Sequence, residues 1–369
     1  MAQSMTTVSA ADGLPPGVEA AIAHLFPGAR VLGCDRLGGD APAGMTEKAR
    51  GYGVPMRICV QTASGESRCL VLRTATADEF GHDRRSDRAA EMLLAFDTFA
   101  TVAGHVRPLD VGAITPEGLV SLREASELYL LTTYVDGEPY ATDLRRIAHD
   151  GQVTKLDLQR LEELVRWLVD IHGEHLAEPQ AWRRSVRDVI GSGEGLFGIV
   201  DAYPDDTPGA PARELQEIER ALLEWRWRLR SRADRLRRIH GDFHPFNIIF
   251  DEGTRFTVVD ASRGSKGDPA DDLTALAVNF PFFALENPAG WSRGLGVLWR
   301  KFWETYVARS GDSEALELAA PYLAWRALVV ASPRFYPHLR ADARAKLLAL
   351  ARRALERGFR PELAEELFR

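Results

Sequence analysis

The sequence predicts an α+β protein with a small, strand-rich first part and a larger, mostly helical second part. Three observations predict it. Short apolar runs of strand length, separated by glycine-rich and polar turns, dominate residues 30–135. Beyond the punctuation Asp136-Gly137-Glu138-Pro139, apolar residues recur at helical spacing through most of the chain. Late in that helical part, two further apolar runs, Ile248-Ile249-Phe250 and Phe256-Thr257-Val258-Val259, read as a strand pair. The expected division is therefore a loose tail over 1–15, a first lobe over 16–135 and a helical lobe over 136–369.

Taken in order, residues 17–26 suit a short helix, and 30–37, 56–61 and 69–74 read as strands. The turn Ala63-Ser64-Gly65-Glu66-Ser67 joins the last two as a hairpin. Between the first two lies a connection containing Gly38-Gly39 and Gly51-Tyr52-Gly53. Glycines let backbone amides approach phosphate oxygens, so Gly38 and Gly39 are candidate nucleotide contacts; a long flexible hairpin fits equally well. A helix over 87–103 carries Met92, Leu93, Phe96 and Phe99 on one face. Two more strands are expected at 119–122 and 128–135, with a turn over 115–118 before the first.

In the second lobe, Leu158, Leu161, Leu164, Val165, Leu168 and Val169 form one apolar stripe over 155–172, ending at His172. Helices are also expected at 182–190, 212–239, 272–285, 291–309, 313–331 and 340–357. Gly193-Glu194-Gly195-Leu196-Phe197-Gly198 is a literal G-x-G-x-x-G, but a dinucleotide fingerprint needs a strand before it, and a helix is expected there. Seven arginines between Arg226 and Arg238 lie largely off the apolar stripe of the 212–239 helix, which reads as a solvated face and not as a nucleic-acid surface.

Composition bounds the function. With 369 residues, 45% hydrophobic and 27% charged, the chain is of ordinary globular type. A net charge of −7 argues against general affinity for nucleic acid or acidic membranes. Cys34, Cys59 and Cys69 are too few and too unevenly spaced for a disulfide framework or zinc site, so buried reduced thiols in a cytoplasmic protein are expected. The first 16 residues lack the basic start and apolar run of a signal peptide, and no run of 18 apolar residues occurs.

The chemistry concentrates in His240-Gly241-Asp242-Phe243-His244-Pro245-Phe246-Asn247. Asp242 and Asn247 have the D-x-x-x-x-N spacing of a kinase catalytic loop. The second strand of the pair ends on Asp260. Phosphoryl transfer needs a group to orient the attacking hydroxyl and hard oxygen ligands for Mg2+. Asp242 can supply the first; Asn247 and Asp260 can supply the second.

These residues, with Gly267-Asp268-Pro269-Ala270-Asp271-Asp272-Leu273, resemble the aminoglycoside phosphotransferase and choline kinase-like superfamily, whose loop reads H-G-D-x-H-x-x-N. The resemblance implies a two-lobed protein-kinase-like fold with ATP or GTP between the lobes. It implies a hinge at Thr133-Tyr134-Val135 contacting the purine, and a phosphate-binding cation at Arg73, where the family keeps lysine. Glu91 would be the partner of Arg73, with Asp87 as the fallback, and Lys48 is the alternative cation. Asp242 would be the catalytic base, with His240 and His244 bracing the loop. Asp268 would be a helix N-cap, and Asp272 the structural carboxylate that ties its helix to the loop. Seven residues between Asp260 and Asp268 leave no room for an activation segment, so the acceptor is expected to be a small molecule bearing a hydroxyl. Between Thr274 and Tyr306 only Glu286 and Glu304 stand against Arg293, Arg300 and Lys301, which argues against a polycationic aminoglycoside, and Phe280, Phe282 and Phe283 fit either a partly apolar pocket wall or the core. The alternative is a weakened nucleotide-binding or regulatory protein, motivated by Arg73 and the irregular glycine-rich stretch.

Overall fold

The computed structural model describes residues 14, 16–37, 55–261 and 263–369. Gly38, Gly39, Lys48, the Gly51-Tyr52-Gly53 stretch and most of the tail lie outside the described residues. Its contacts divide the chain into two compact units, Met1–Thr132 and Thr133–Arg369.

In the first unit, α1 (Val18–Leu25) precedes β1 (Arg30–Arg36), β2 (Met56–Gln61) and β3 (Ser67–Leu72), which form one antiparallel sheet in the order β1-β2-β3. Alternation along β2 decides what packs where. Ile58 and Val60 turn to one face and meet Val18 and Ile22 of α1, and these four are the fully buried hydrophobic residues of this small core. Cys59 turns to the other face, directly across from Cys69 in the β2–β3 register, and the two are disulfide-bonded. The expectation of buried reduced thiols is thereby corrected: Cys69 is exposed and Cys34 alone is free. α2 (Arg85–Phe99) buries no side chain fully, and Leu94 on it is exposed. β4 (Gly112–Thr115) and β5 (Gly118–Ser121) close a tight hairpin.

The expected strand over 128–135 does not form. Leu128, Tyr129, Leu130, Leu131 and Tyr134 are all exposed, four of them by more than 80%. Strand propensity needs a pairing partner and a surface to cover, and no strand among the described residues pairs with this run.

The second unit is built around helices. β6 (Glu138–Pro139) leads into α3 (Tyr140–Asp150), α4 (Lys155–His172), α5 (Pro179–Gly191), α6 (Leu196–Asp201) and α7 (Ala212–Leu229). After β7 (Arg237–Arg238) come β8 (Ile248–Phe250), β9 (Phe256–Val258) and β10 (Lys266–Gly267). Then follow α8 (Pro269–Ala277), α9 (Asn279–Ala284), α10 (Leu295–Ser310), α11 (Glu314–Ala331), α12 (Ala341–Arg357) and α13 (Glu362–Glu365). β8 lies between β6 and β9, and β7 pairs with β10, all antiparallel.

α4 starts where Thr154 and Asp157 form a reciprocal capping box. It buries Leu161, Leu164, Val165 and Leu168 along the predicted stripe, which delivers His172 to the core. α7 stops ten residues short of the expected end because its downstream arginines are drawn into tertiary ion pairs. Arg235 grips Asp268 through two 3.1 Å bonds and Asp312 at 2.7 Å, and Arg232 reaches Glu314 at 2.6 Å. Arg238 pairs with Glu174 at 2.9 Å. These residues are structural ties and not one solvated helix face. The G-x-G-x-x-G stretch joins α5 to α6 with no strand before it, so it lacks the strand–turn–helix context of a dinucleotide site.

Candidate active site

The polar loop begins where β7 and β10 pair and the Ile239 amide donates to the Ser265 carbonyl at 3.1 Å. Gly241 turns the chain at φ 84°, and a Cβ there would stand 2.4 Å from the Gly264 carbonyl oxygen. Glycine is required on both counts.

Main-chain groups on each side of that turn are held by side chains from two helices. Asp268 caps α8, its carboxylate accepting from the Ala270 amide at 2.9 Å with Pro269 at the first helical position. One turn further, Asp272 is fully buried and accepts from the amides of His240 (2.7 Å) and Gly241 (2.8 Å). His172 lies 3.2 Å from the same carboxylate through Nε2, while its Nδ1 is 2.9 Å from the Tyr306 hydroxyl. The pairing suits the tautomer in which Nε2–H donates to Asp272 and Nδ1 accepts from Tyr306. Burial alone would raise Asp272, but His172 and the loop amides outweigh it and hold the carboxyl below its usual range.

The Gly241 carbonyl accepts from two guanidinium groups, Arg326 of α11 at 3.2 Å and Arg263 in a shorter contact. Both arginines also reach Asp271, Arg326 at 3.0 Å and Arg263 at 3.1 and 3.2 Å. Each guanidinium carbon lies 4.1 Å from the Trp325 ring.

Asp242 follows, with its side chain 19% exposed. Oδ1 accepts from Arg326 at 2.6 Å; Oδ2 stands 3.6 Å from His244 Nε2. Burial pushes this carboxyl up, yet the charge of Arg326, with His244 and Arg263, brings it below its usual range, so it is ionised at neutral pH. Burial has the larger say for His244, which is lowered despite Asp242 beside it. The Asp242 amide donates to His240 Nδ1 at 3.3 Å, and the His244 amide donates to the Asp242 carbonyl at 2.9 Å. The His244 ring braces the loop as well, its Nδ1 accepting from the Phe246 amide at 3.2 Å. Phe243 anchors it from beneath, fully buried and stacked on Trp167 at 5.2 Å.

Asn247 Nδ2 donates to the Asp242 carbonyl at 3.1 Å, which turns its amide oxygen away from that bond. The β8–β9 register continues one step beyond the strands, the Val259 amide donating to the Asn247 carbonyl at 3.0 Å. Asp260 is therefore the next residue along, exposed, at φ 59°. Among the described residues it is the one non-glycine with positive φ, a conformation that costs on the order of 1–3 kcal/mol and concentrates at functional sites. An amide oxygen and a carboxylate so placed are hard donors of the kind Mg2+ takes.

The candidates in the first unit fare differently. Arg73 is exposed, one residue beyond the end of β3, with no ion pair among the described residues. Glu91 does not pair with it; its Oε2 lies 3.3 Å from His82 Nδ1. In the second unit, Thr133 and Tyr134 are exposed and Val135 is half-buried, none of them in a strand. Phe280, Phe282 and Phe283 are buried in the core and form no open wall. Sequence reasoning missed Arg263, Asp271 and Arg326. The visible signal for Arg326 is a lone charge in the apolar run Leu323-Ala324-Trp325-Arg326-Ala327-Leu328.

The model of a family described as the phosphotransferase enzyme family matches residues 60–306, well over half of the chain. The chain belongs to that family. It is a phosphotransferase. Among solved structures, the phosphotransferase is similar to an aminoglycoside phosphotransferase of Streptomyces rimosus (18% identity, 72% of this chain and 87% of that one, TM-score 0.34). It is similar also to a glucosamine kinase (15%, 93% and 91%, 0.39) and to a choline kinase of Streptococcus pneumoniae (15%, 92% and 97%, 0.35). No curated protein matches.

Proposed function

We propose that this phosphotransferase moves the γ-phosphate of ATP or GTP to a hydroxyl of a small metabolite or antibiotic, with Asp242 as the base. The observation that carries this reading is the asymmetry of Asp242: an ionised carboxylate, main chain pinned on both sides, one oxygen engaged by Arg326 and the other without a hydrogen bond among the described residues. The acceptor hydroxyl donates to that second oxygen, and its own oxygen attacks the γ-phosphorus. The bond from the γ-phosphorus to the bridging oxygen breaks, the nucleoside diphosphate leaves, and the hydroxyl proton passes to Asp242. Asn247 Oδ1 and the Asp260 carboxylate would hold Mg2+, which would supply positive charge against that of the transferring phosphate. Arg73 is the proposed phosphate cation and Glu91 its proposed support, with Gly38 and Gly39 as loop glycines and Thr133, Tyr134 and Val135 as the purine contact.

The acceptor is proposed not to be a polycation. Arg326 places a permanent positive charge 2.6 Å from Asp242, and Arg145 lies 5.2 Å over the ring of Phe246 in the same loop. Two acids tied to the same loop are already committed, Asp271 to two arginines and Asp272 to the loop amides. Screening hydroxylated metabolites and antibiotics for stimulated release of ADP or GDP tests the reading. Efficient phosphorylation of a kanamycin-like substrate would overturn the acceptor class, and no stimulation across a broad hydroxyl panel would overturn the reaction. A cytoplasmic location is part of the same proposal.

A further inference from the structure

We propose that Arg326 is a positioning residue for the base: its guanidinium fixes Asp242 Oδ1 and the Gly241 carbonyl so that Oδ2 alone is presented to the acceptor. The inference rests on the reading of Asp242 given above.

Arg326 is 5% exposed and sits on an otherwise apolar stretch of α11. Its planar fork serves three acceptors at once. Nη1 donates to Asp242 Oδ1 at 2.6 Å, and Nη2 donates to the Gly241 carbonyl at 3.2 Å and to Asp271 Oδ1 at 3.0 Å. A rigid guanidinium can span these acceptors where an ammonium cannot.

Charge pairing separates positioning from simple neutralisation. Asp271 already has Arg263 on both of its oxygens at 3.1 and 3.2 Å. The charge of Arg326 is therefore the counterpart of Asp242. Stability alone does not account for it, because a buried ion pair gives little net stabilisation over apolar residues of similar volume. Arg326 Nε is moreover buried without a hydrogen-bond partner, an unfavourable arrangement that the three-way grip imposes. The backbone of Asp242 is held independently, its amide by His240 and its carbonyl by Asn247 and His244. The direction of the carboxylate is what remains for Arg326 to fix.

The experiment compares the parent, R326Q, R326K and D242N. Crystal structures of parent and R326Q are expected to show the Asp242 carboxylate leaving its position in the variant while residues 243–247 stay put. With the acceptor found by the screen, R326Q should lose about 10- to 100-fold in kcat, the scale of a displaced catalytic group, with KM for Mg-nucleotide within about threefold. R326K should recover part of that loss, since it keeps the charge without the fork. An unmoved carboxylate in R326Q, or turnover within twofold of the parent, overturns the proposal. Should R326Q not fold, R326K carries both measurements, with a displaced Oδ1 and intermediate turnover expected and parental values for either overturning it. If D242N turns over normally, the base assignment fails instead, and the crystal structures still decide whether Arg326 orders residue 242.

Discussion

The two units hold their chemistry-bearing residues in opposite ways. In the second, residues 240–247 are tied by Asp272 from α8, by Arg326 from α11 and by the paired strands β8 and β9, all rooted in one large core. In the first, the core reduces to Val18, Ile22, Ile58 and Val60, α2 buries nothing completely, and Arg73 is exposed past a strand end. The difference teaches where precision is built into the chain. The groups proposed to meet the transition state are set before any ligand arrives, whereas the groups proposed for the nucleotide carry little of their own fixation.

Several substitutions can break or sharpen that contrast. The largest effect is expected from Asp242→Asn, which should cut transfer by roughly 10²-fold or more while leaving nucleotide affinity within a few-fold; coupled-assay turnover and a nucleotide titration check it. Next is Asp272→Ala. It strands two buried amides, each worth about 1–3 kcal/mol when unpaired, so chemical denaturation of the second unit should show a loss of about 2–5 kcal/mol alongside lost activity. Arg73→Ala comes third. Losing a charge-assisted contact worth about 1.5–3 kcal/mol should weaken Mg-nucleotide binding by at least tenfold in calorimetry, with Arg73→Lys intermediate and Lys48→Ala far milder; the reverse ranking would reassign the phosphate cation.

A smaller effect concerns acid. The Asp272 carboxyl lies below its usual range in the folded protein, so its stabilisation is complete above the unfolded value of about 4 and is lost as pH falls through the folded one. Melting curves of the parent should drop more steeply below about pH 4 than those of Asp272→Ala. Smallest is the first-unit disulfide. Thiol titration without reductant should find one reactive cysteine, Cys34, and Cys59→Ser should leave transfer unchanged, since the β2–β3 hairpin already holds the strands together.

The legible parts of the molecule were those governed by local rules. Periodicity gave β2 and α4 to the residue, because alternation and a 3.6-residue stripe are direct consequences of burial. The roles expected of Asp268 and Asp272 match the hydrogen bonds they make. What escaped depends on distant partners. The end of α7 is dictated by Asp268, Asp312 and Glu314, far along the chain from the arginines they capture. Arg326 acquires meaning through Asp242, 84 residues earlier. The apolar run at 128–135 has strand propensity but no pairing partner among the described residues to act on it. The Cys59–Cys69 bond depended on the register: the hairpin is centred on Ser64, which sets those two positions opposite one another, where a turn centred on Gly65 would pair Cys59 with Val71.

The attachment of the loop to Asp272 has a bearing on how the enzyme fails when heated. α8 is buried along its whole length, so the loop cannot fray outward as surface loops do without dragging a core helix with it. Heat inactivation should then coincide with cooperative melting of the second unit and not precede it. Residual activity measured after brief heating should trace the unfolding curve of that unit, and survivors of a partial melt should be fully competent molecules instead of a uniformly impaired population.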